Sequence, residues 1–250
     1  MERDKQILGV IGGLGPLASA YFLELVTRMT RARRDQDHLE VILRSCPGIP
    51  DRTAHLLNPE MPSPVPRMTE IGNQLVRMGA EKIAIPCMTA QSFLQQLQAG
   101  IPVPVLDAVT ASVSLLADNS VRRAGILATD GTIRSGLFAD TMKKRGITPV
   151  VPSAKEQENV MYLIYHNIKA GRPVEMDRFR SVSRELKRKG AEVIVLGCTE
   201  LSLIQREQKL GPGYLDALEV LANLAVTECG AESSWVFRAG KGGEHCAKCS

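Results

Sequence analysis

Short apolar runs alternate with longer amphipathic stretches along most of the chain. The runs are rich in β-branched residues, as is typical of buried strands, and the stretches carry apolar residues at helical spacing. This alternation predicts an α/β fold in which βα units feed parallel sheets. The predicted strands are 7–11, 40–44, 82–85, 103–106, 123–128, 148–151 and 193–196. The predicted helices are 16–33, 64–78, 108–118, 136–145, 156–170, 176–189 and 214–228.

The chain also resembles itself. Residues 79–89, GAEKIAIPCMT, align with residues 190–199, GAEVIVLGCT, at an offset of 111 residues. A fainter match pairs residues 7–15 with residues 123–131 at an offset of 116 residues. Two matches at nearly the same offset predict two similar α/β domains. We expect residues 1–105 together with 215–250 to form the first domain, and residues 106–214 to form the second.

Composition excludes several classes of protein. The chain has 31 Lys and Arg against 27 Asp and Glu, and only 4% of its residues are aromatic, which gives little support for nucleic-acid binding. Its six cysteines are too dispersed for a disulfide scaffold. No apolar run approaches the roughly 20 residues of a membrane span, and the start MERDKQ does not resemble a signal peptide. We therefore expect a cytoplasmic protein with reduced thiols and no membrane partner.

Two cysteines occupy matching positions in the repeat. Cys87 and Cys198 each follow a predicted strand, at the end where ligands bind in parallel sheets. The positive end of the following helix is expected to favour the thiolate at both positions. A thiolate and a thiol on opposite sides of one carbon can invert its configuration by removing one proton and delivering another. The alternative is that each is a small buried apolar residue, as most free cysteines are.

Five motifs carry a resemblance to a known family. In chain order they are IGGLGPLA at 11–18, IPDRT at 49–53, PCMTA at 86–90, LATDGT at 127–132 and LGCTEL at 196–201. Together they resemble the aspartate/glutamate racemase superfamily, and its aspartate racemase branch most closely. The resemblance implies two pseudosymmetric Rossmann-like domains with mostly parallel sheets and an active site in the cleft between them. It also implies a homodimer that racemises aspartate, glutamate or a related amino acid without a cofactor such as pyridoxal phosphate.

The resemblance assigns roles to individual residues. Cys87 and Cys198 match the paired acid/base cysteines. Arg52 matches an arginine that holds a substrate carboxylate, for which its planar donor pair is suited. Lys169 matches a lysine that holds the side-chain carboxylate of the substrate. The remaining matches are positions whose amides or hydroxyls line the site, namely Gly13, Thr89, Thr129, Thr132 and Thr199.

One position departs from the family pattern. Where the family usually has asparagine after the first cysteine, this chain has Met88, which cannot hydrogen-bond an amino-acid head group. We expect Met88 to line the substrate site and to alter specificity. Two alternatives stay open: a maleate-type cis-trans isomerase or decarboxylase on the same scaffold, and an amino-acid-binding protein without turnover.

The C-terminal segment differs in composition from the rest of the chain. His245, Cys246 and Cys249 offer three ligands for a soft metal, whereas a closed structural zinc site needs four. We expect a mobile terminus here and no metal site in the protein.

Overall fold

Two parallel sheets form the centre of the molecule. The structure is a computed structural model that describes residues 5–237 and residue 239. In the first sheet the strand order is β2-β1-β3, and in the second it is β5-β4-β6-β7, with every pair parallel. The strands are β1 (Leu8–Gly12), β2 (Val41–Ser45), β3 (Lys82–Ala84), β4 (Arg123–Leu127), β5 (Thr148–Val150), β6 (Val193–Leu196) and β7 (Tyr214–Asp216).

Helices connect the strands and cover both sheets. The α-helices are α1 (Pro16–Met29), α2 (Arg52–Leu57), α3 (Val65–Arg77), α4 (Leu94–Gly100), α5 (Ala108–Asp118), α6 (Asp130–Arg134), α7 (Leu137–Lys144), α8 (Ala154–Tyr162), α9 (Met176–Arg188), α10 (Thr199–Gln208) and α11 (Ala217–Glu228). Short 3₁₀ helices occupy Asp35–Asp37 and Thr89–Phe93, and a π-helical turn, Leu163–Ile168, continues α8. The predicted α/β fold with mostly parallel sheets is therefore confirmed.

The two sheets repeat one topology. The order β2-β1-β3 in the first corresponds to β5-β4-β6 in the second, so the strands that precede the two cysteines, β3 and β6, lie beside equivalent central strands. All residues of β1 and β6 are buried, as expected for a parallel sheet covered on both faces. The internal sequence repeat thus corresponds to a structural repeat.

Two predicted elements differ from the structure. The predicted strand at 103–106 forms a single parallel bridge, between Ile83 and Val105, because Pro102 and Pro104 have no backbone N–H to donate. The predicted helix at 214–228 begins only at Ala217, after Asp216 accepts a hydrogen bond from the Leu218 backbone N–H at 2.8 Å. The residues before it form β7.

One hydrophobic cluster joins the two halves. It contains Phe22 of α1, Val109 of α5 and Leu218 of α11, together with Val10 of the first sheet and Ile126 of the second. The predicted domain boundaries stay predictions. Strand β7 spans the predicted boundary at residue 215 and pairs with β6 in the second sheet.

No helix within residues 5–237 is both long and apolar enough to span a membrane. His245, Cys246 and Cys249 lie outside the described residues.

Substitution of Gly13 tests whether the turn that leads from β1 towards α1 requires a glycine. Its φ of +92° is unfavourable for residues with a Cβ, and an added Cβ would lie 2.4 Å from the backbone nitrogen of Cys46. We expect Gly13→Ala to lower the free energy of unfolding by at least about 1–2 kcal/mol, the cost of the left-handed conformation alone. Urea unfolding followed by circular dichroism measures the change. Gly48→Ala is the control, because its Cβ meets nothing within 4 Å; equal midpoints for the two variants would contradict this account.

Candidate active site

Cys87 and Cys198 line one cavity between the two halves. Cys87 follows β3 and Cys198 follows β6, so each lies at the carboxyl end of its strand, and they are only 6% and 4% exposed. The cavity has a free volume of about 10 Å³, the space of one water molecule. The repeat therefore brings the two predicted thiols to one place.

The thiol of Cys198 lies against a carboxylate. Its Sγ donates to Oε2 of Glu200 at 3.0 Å, and Glu200 is itself buried. Burial, and then the negative charge of Glu200, raise the pKa of Cys198 well above its ordinary value. The expectation that the start of the following helix favours a thiolate here is therefore wrong, because these two effects outweigh the helix.

Cys87 lies beside a cation instead. Arg52 opens α2, whose first turn is capped by the Asp51 carboxylate accepting from the Ala54 N–H at 2.8 Å. The Arg52 guanidinium donates to the carbonyl oxygens of Leu14 at 3.2 Å and Pro50 at 3.1 Å, which fix its position. Burial lowers the pKa of Arg52, but Cys87, which it contacts, and the neighbouring carboxylates raise it overall.

Lys169 reaches the cavity from the π-helical turn. Its backbone N–H donates to the Ile164 carbonyl, five residues earlier, at 2.9 Å. Its ammonium lies 3.8 Å from Oε1 of Glu200 and 4.3 Å from the centre of the Tyr165 ring. Burial lowers the pKa of Lys169, but Glu200, Tyr165 and the two cysteines raise it overall, so the side chain stays a cation.

Four buried threonines connect the halves beside the thiols. The hydroxyl of Thr129 lies 3.1 Å from the hydroxyls of both Thr89 and Thr132, and Thr132 donates to Thr89 at 3.0 Å. Thr53 donates to Thr129 at 3.3 Å. These hydroxyls satisfy one another, so they hold the second half against the first where the cavity forms.

The structure gathers most of the predicted site residues. The predicted residues that line the cavity are Arg52, Cys87, Met88, Thr89, Thr129, Lys169, Cys198 and Thr199. Thr132 lies behind them in the threonine cluster, and Gly13 lines a neighbouring pocket. Met88 is 1% exposed and presents a thioether where the family pattern has an amide.

Sequence reasoning missed five cavity residues. Asp51 and Thr53 flank Arg52, and Glu200 lies two residues after Cys198, so their positions in the motifs could have indicated them. Tyr165 precedes Lys169 by four residues, which is a spacing that places two side chains on one helix face. Leu14 also lines the cavity, and only its place in the first motif indicated it.

Two cations of the cavity are placed to bind a carboxylate group. Arg52 and Lys169 supply positive charge for carboxylates, and the buried Nε–H of Arg52 has no hydrogen-bond partner among the described residues. Within residues 5–237 and residue 239, no group of three or more His, Cys, Asp or Glu is arranged to hold a metal ion.

Known proteins resemble this chain in sequence and in fold. The broad specificity amino-acid racemase RacX of Bacillus subtilis is 23% identical over 228 residues, which is 88% of this chain and 97% of that protein. A glutamate racemase of Corynebacterium diphtheriae is 28% identical over 162 residues, covering 62% of this chain and 60% of its own length. The solved structure of the Picrophilus torridus aspartate racemase superposes with a TM-score of 0.81 at 27% identity, covering 92% of this chain and 96% of that one.

The family assignment rests on most of the chain. The sequence model described as Asp/Glu/Hydantoin racemase matches residues 11–225, a range that contains both cysteines, Arg52 and Lys169. The resemblance noted in the five motifs is thereby confirmed. The chain belongs to the Asp/Glu/hydantoin racemase family.

Proposed function

We propose that this protein is an amino-acid racemase that works without pyridoxal phosphate and exchanges the Cα proton between Cys87 and Cys198. The observation that carries the proposal is the pair of thiols at equivalent strand ends, lining one cavity and flanked by groups of opposite charge. Membership of the racemase family supports the same reaction.

Arg52 is suited to bind the substrate carboxylate. Its guanidinium is held in place by backbone carbonyls, and its Nε–H has no hydrogen-bond partner among the described residues. A carboxylate bound there would lie close to Cys87, because the guanidinium contacts that side chain. The Cα of the substrate would then lie near the first thiol.

The proton transfer balances over the two cysteines. The Cys87 thiolate, stabilised by Arg52, removes the Cα proton from one face and becomes a thiol. The Cys198 thiol delivers its proton to the opposite face and becomes a thiolate. The product differs from the substrate only in configuration. The opposite enantiomer follows the same path in reverse, with Cys198 as the base.

The carbanion that forms at Cα needs stabilisation. The cavity offers the positive charges of Arg52 and Lys169 and the hydroxyls of Thr89 and Thr129, in a narrow space lined mainly by buried residues. These groups stabilise a negative charge more strongly there than in water, because the surroundings have a lower dielectric constant.

Glu200 keeps the proton on Cys198 between turnovers. A thiolate on Cys198 would face this carboxylate 3.0 Å away, and like charges so close oppose each other. Cys198 is therefore held as a thiol between turnovers. After a turnover in which Cys198 has given up its proton, Cys87 carries the proton taken from the substrate. The starting state returns when Cys87 releases that proton and Cys198 gains one, which the repulsion from Glu200 favours.

The remaining expectations from the sequence stay predictions. They are aspartate, glutamate or a related amino acid as substrate, a homodimer, and a cytoplasmic location. The maleate-type isomerase and the binding protein are the alternatives that the experiment below separates from a racemase.

The thiols provide the first test. We expect Cys87→Ser and Cys198→Ser each to reduce racemisation by about 10²–10⁴-fold, since each removes one of the two acid/base groups. The measurement is proton NMR of single enantiomers in heavy water, which reports loss of the Cα proton, combined with chiral chromatography for the change of configuration.

Cys46→Ala is the matched control. Cys46 is a half-buried cysteine of the first half that does not line the cavity, so its loss should change the rate less than twofold. Full activity in either serine variant would contradict the two-thiol proposal. Turnover of maleate without Cα exchange would favour the isomerase, and saturable binding without exchange would favour the binding protein.

The pH profile tests the role of Glu200. Two enantiomers have equal free energies, so kcat/KM has the same pH profile in both directions, and it requires one thiolate and one thiol. The raised pKa of Cys198 keeps the second thiol protonated at alkaline pH. Glu200→Gln removes a cause of that rise, so we expect the alkaline limb of the profile to move to lower pH while the acid limb stays in place.

Glu207→Gln serves as the control for this profile. Glu207 lies on the same helix, α10, but is exposed, so the identical substitution there should leave both limbs unchanged. An alkaline limb that stays in place in Glu200→Gln would show that Glu200 does not govern the second thiol.

A further inference from the structure

A second pocket adjoins the cavity that contains the thiols. We call it the vestibule; it has a volume of about 390 Å³, within the range of about 300–1,000 Å³ that is usual for small-molecule sites. By the same measure the thiol cavity has about 10 Å³. The larger space therefore lies beside the two thiols, and an amino acid placed between them has room to extend into it.

The shared wall carries the charges of the vestibule. Asp51, Arg52, Lys169 and Glu200 line both spaces. Away from the wall the vestibule is lined mainly by apolar residues, among them Pro16, Leu17, Pro47, Ile49, Ile168 and Leu203. An amino acid has the same division, with a charged head group and, in many cases, an apolar side chain.

The formal charges of the four wall residues sum to zero, and the Cys87 thiolate of the proposed mechanism adds one negative charge beside them. Lys169 lies 3.8 Å from Glu200, and the negative charge of Asp51 acts on Arg52. A zwitterionic head group adds no net charge to this arrangement. A second carboxylate on the substrate would add one, in a site where an uncompensated charge is costly.

Met88 leaves the polar contacts of the head group to the charged wall, because it lines the thiol cavity and not the vestibule. It is 1% exposed, belongs to the hydrophobic cluster that joins the halves, and lines the thiol cavity. A thioether adapts to apolar groups and offers no strong hydrogen bond to a polar one.

We propose that the thiol cavity and the vestibule form one substrate site for amino acids with a large uncharged side chain, with the head group at the wall and the side chain in the vestibule. This inference rests on the proposed racemase function. The thiol cavity must widen to admit the head group, since in the structure it holds only one water molecule.

A panel of single enantiomers tests the substrate class. We expect kcat/KM for Cα exchange in heavy water to be at least tenfold higher for leucine, methionine or phenylalanine than for aspartate. One methylene in an apolar pocket changes kcat/KM by about 10–200-fold, so the difference should be readily measured.

Leu17→Trp tests the placement of the side chain. Leu17 lies on the vestibule and is 58% exposed, so a larger residue there should reduce the vestibule with little strain on the fold. We expect the ratio of kcat/KM for leucine to that for alanine to fall at least tenfold. Leu23→Trp is the matched control, because Leu23 lies on the same helix, is 39% exposed and does not line the vestibule. In this variant the ratio of kcat/KM for leucine to that for alanine should stay unchanged.

The outcomes separate this inference from the proposed function. Faster exchange of aspartate than of leucine would overturn the inference and leave the racemase intact. An unchanged ratio in Leu17→Trp would also overturn it. No exchange of any amino acid in the panel would overturn the proposed function itself, and the inference with it.

Discussion

The burial of Glu200 is the constraint on which the rest of the site depends. A carboxylate that is 5% exposed needs positive charge and hydrogen-bond donors close by. Lys169 supplies the charge and Cys198 a donor, and both belong to the second half. The first half contributes Gly15, where a Cβ would lie 3.0 Å from Oε1 of Glu200. One carboxylate thus fixes where parts of both halves must lie.

The same carboxylate makes a symmetric scaffold chemically asymmetric. The repeated topology delivers two thiols to equivalent positions, and by itself would make them interchangeable. Arg52 beside Cys87 and Glu200 beside Cys198 remove that equivalence, because the two thiols lie beside opposite charges. The proposed two-thiol reaction needs a difference of this kind at the start of each turnover.

The elements that are best predicted from the sequence are those whose ends and spacing depend on neighbouring residues. Helix α5 agrees with its prediction at both ends, because Asp107 caps it and its apolar spacing is regular. Strand β7 is missed because its three residues run directly into a helix, and the strand at 103–106 is overpredicted because its prolines limit pairing. The cysteines follow from the repeat. The contact between Lys169 and Glu200 does not, since it joins residues 31 positions apart through tertiary packing.

The π-helical turn at Leu163–Ile168 has a consequence for how this site can change. The backbone hydrogen bond from Lys169 to Ile164 spans five residues, whereas the hydrogen bonds of an α-helix span four. The π-helical turn therefore contains one residue more than an α-helical turn. Deleting one residue there would restore an α-helix and rotate everything beyond it by about 100°. Lys169 would swing away from Glu200 while both cysteines stayed in place. The length of a single helical turn therefore offers evolution a route to move Lys169 that leaves Cys87 and Cys198 untouched.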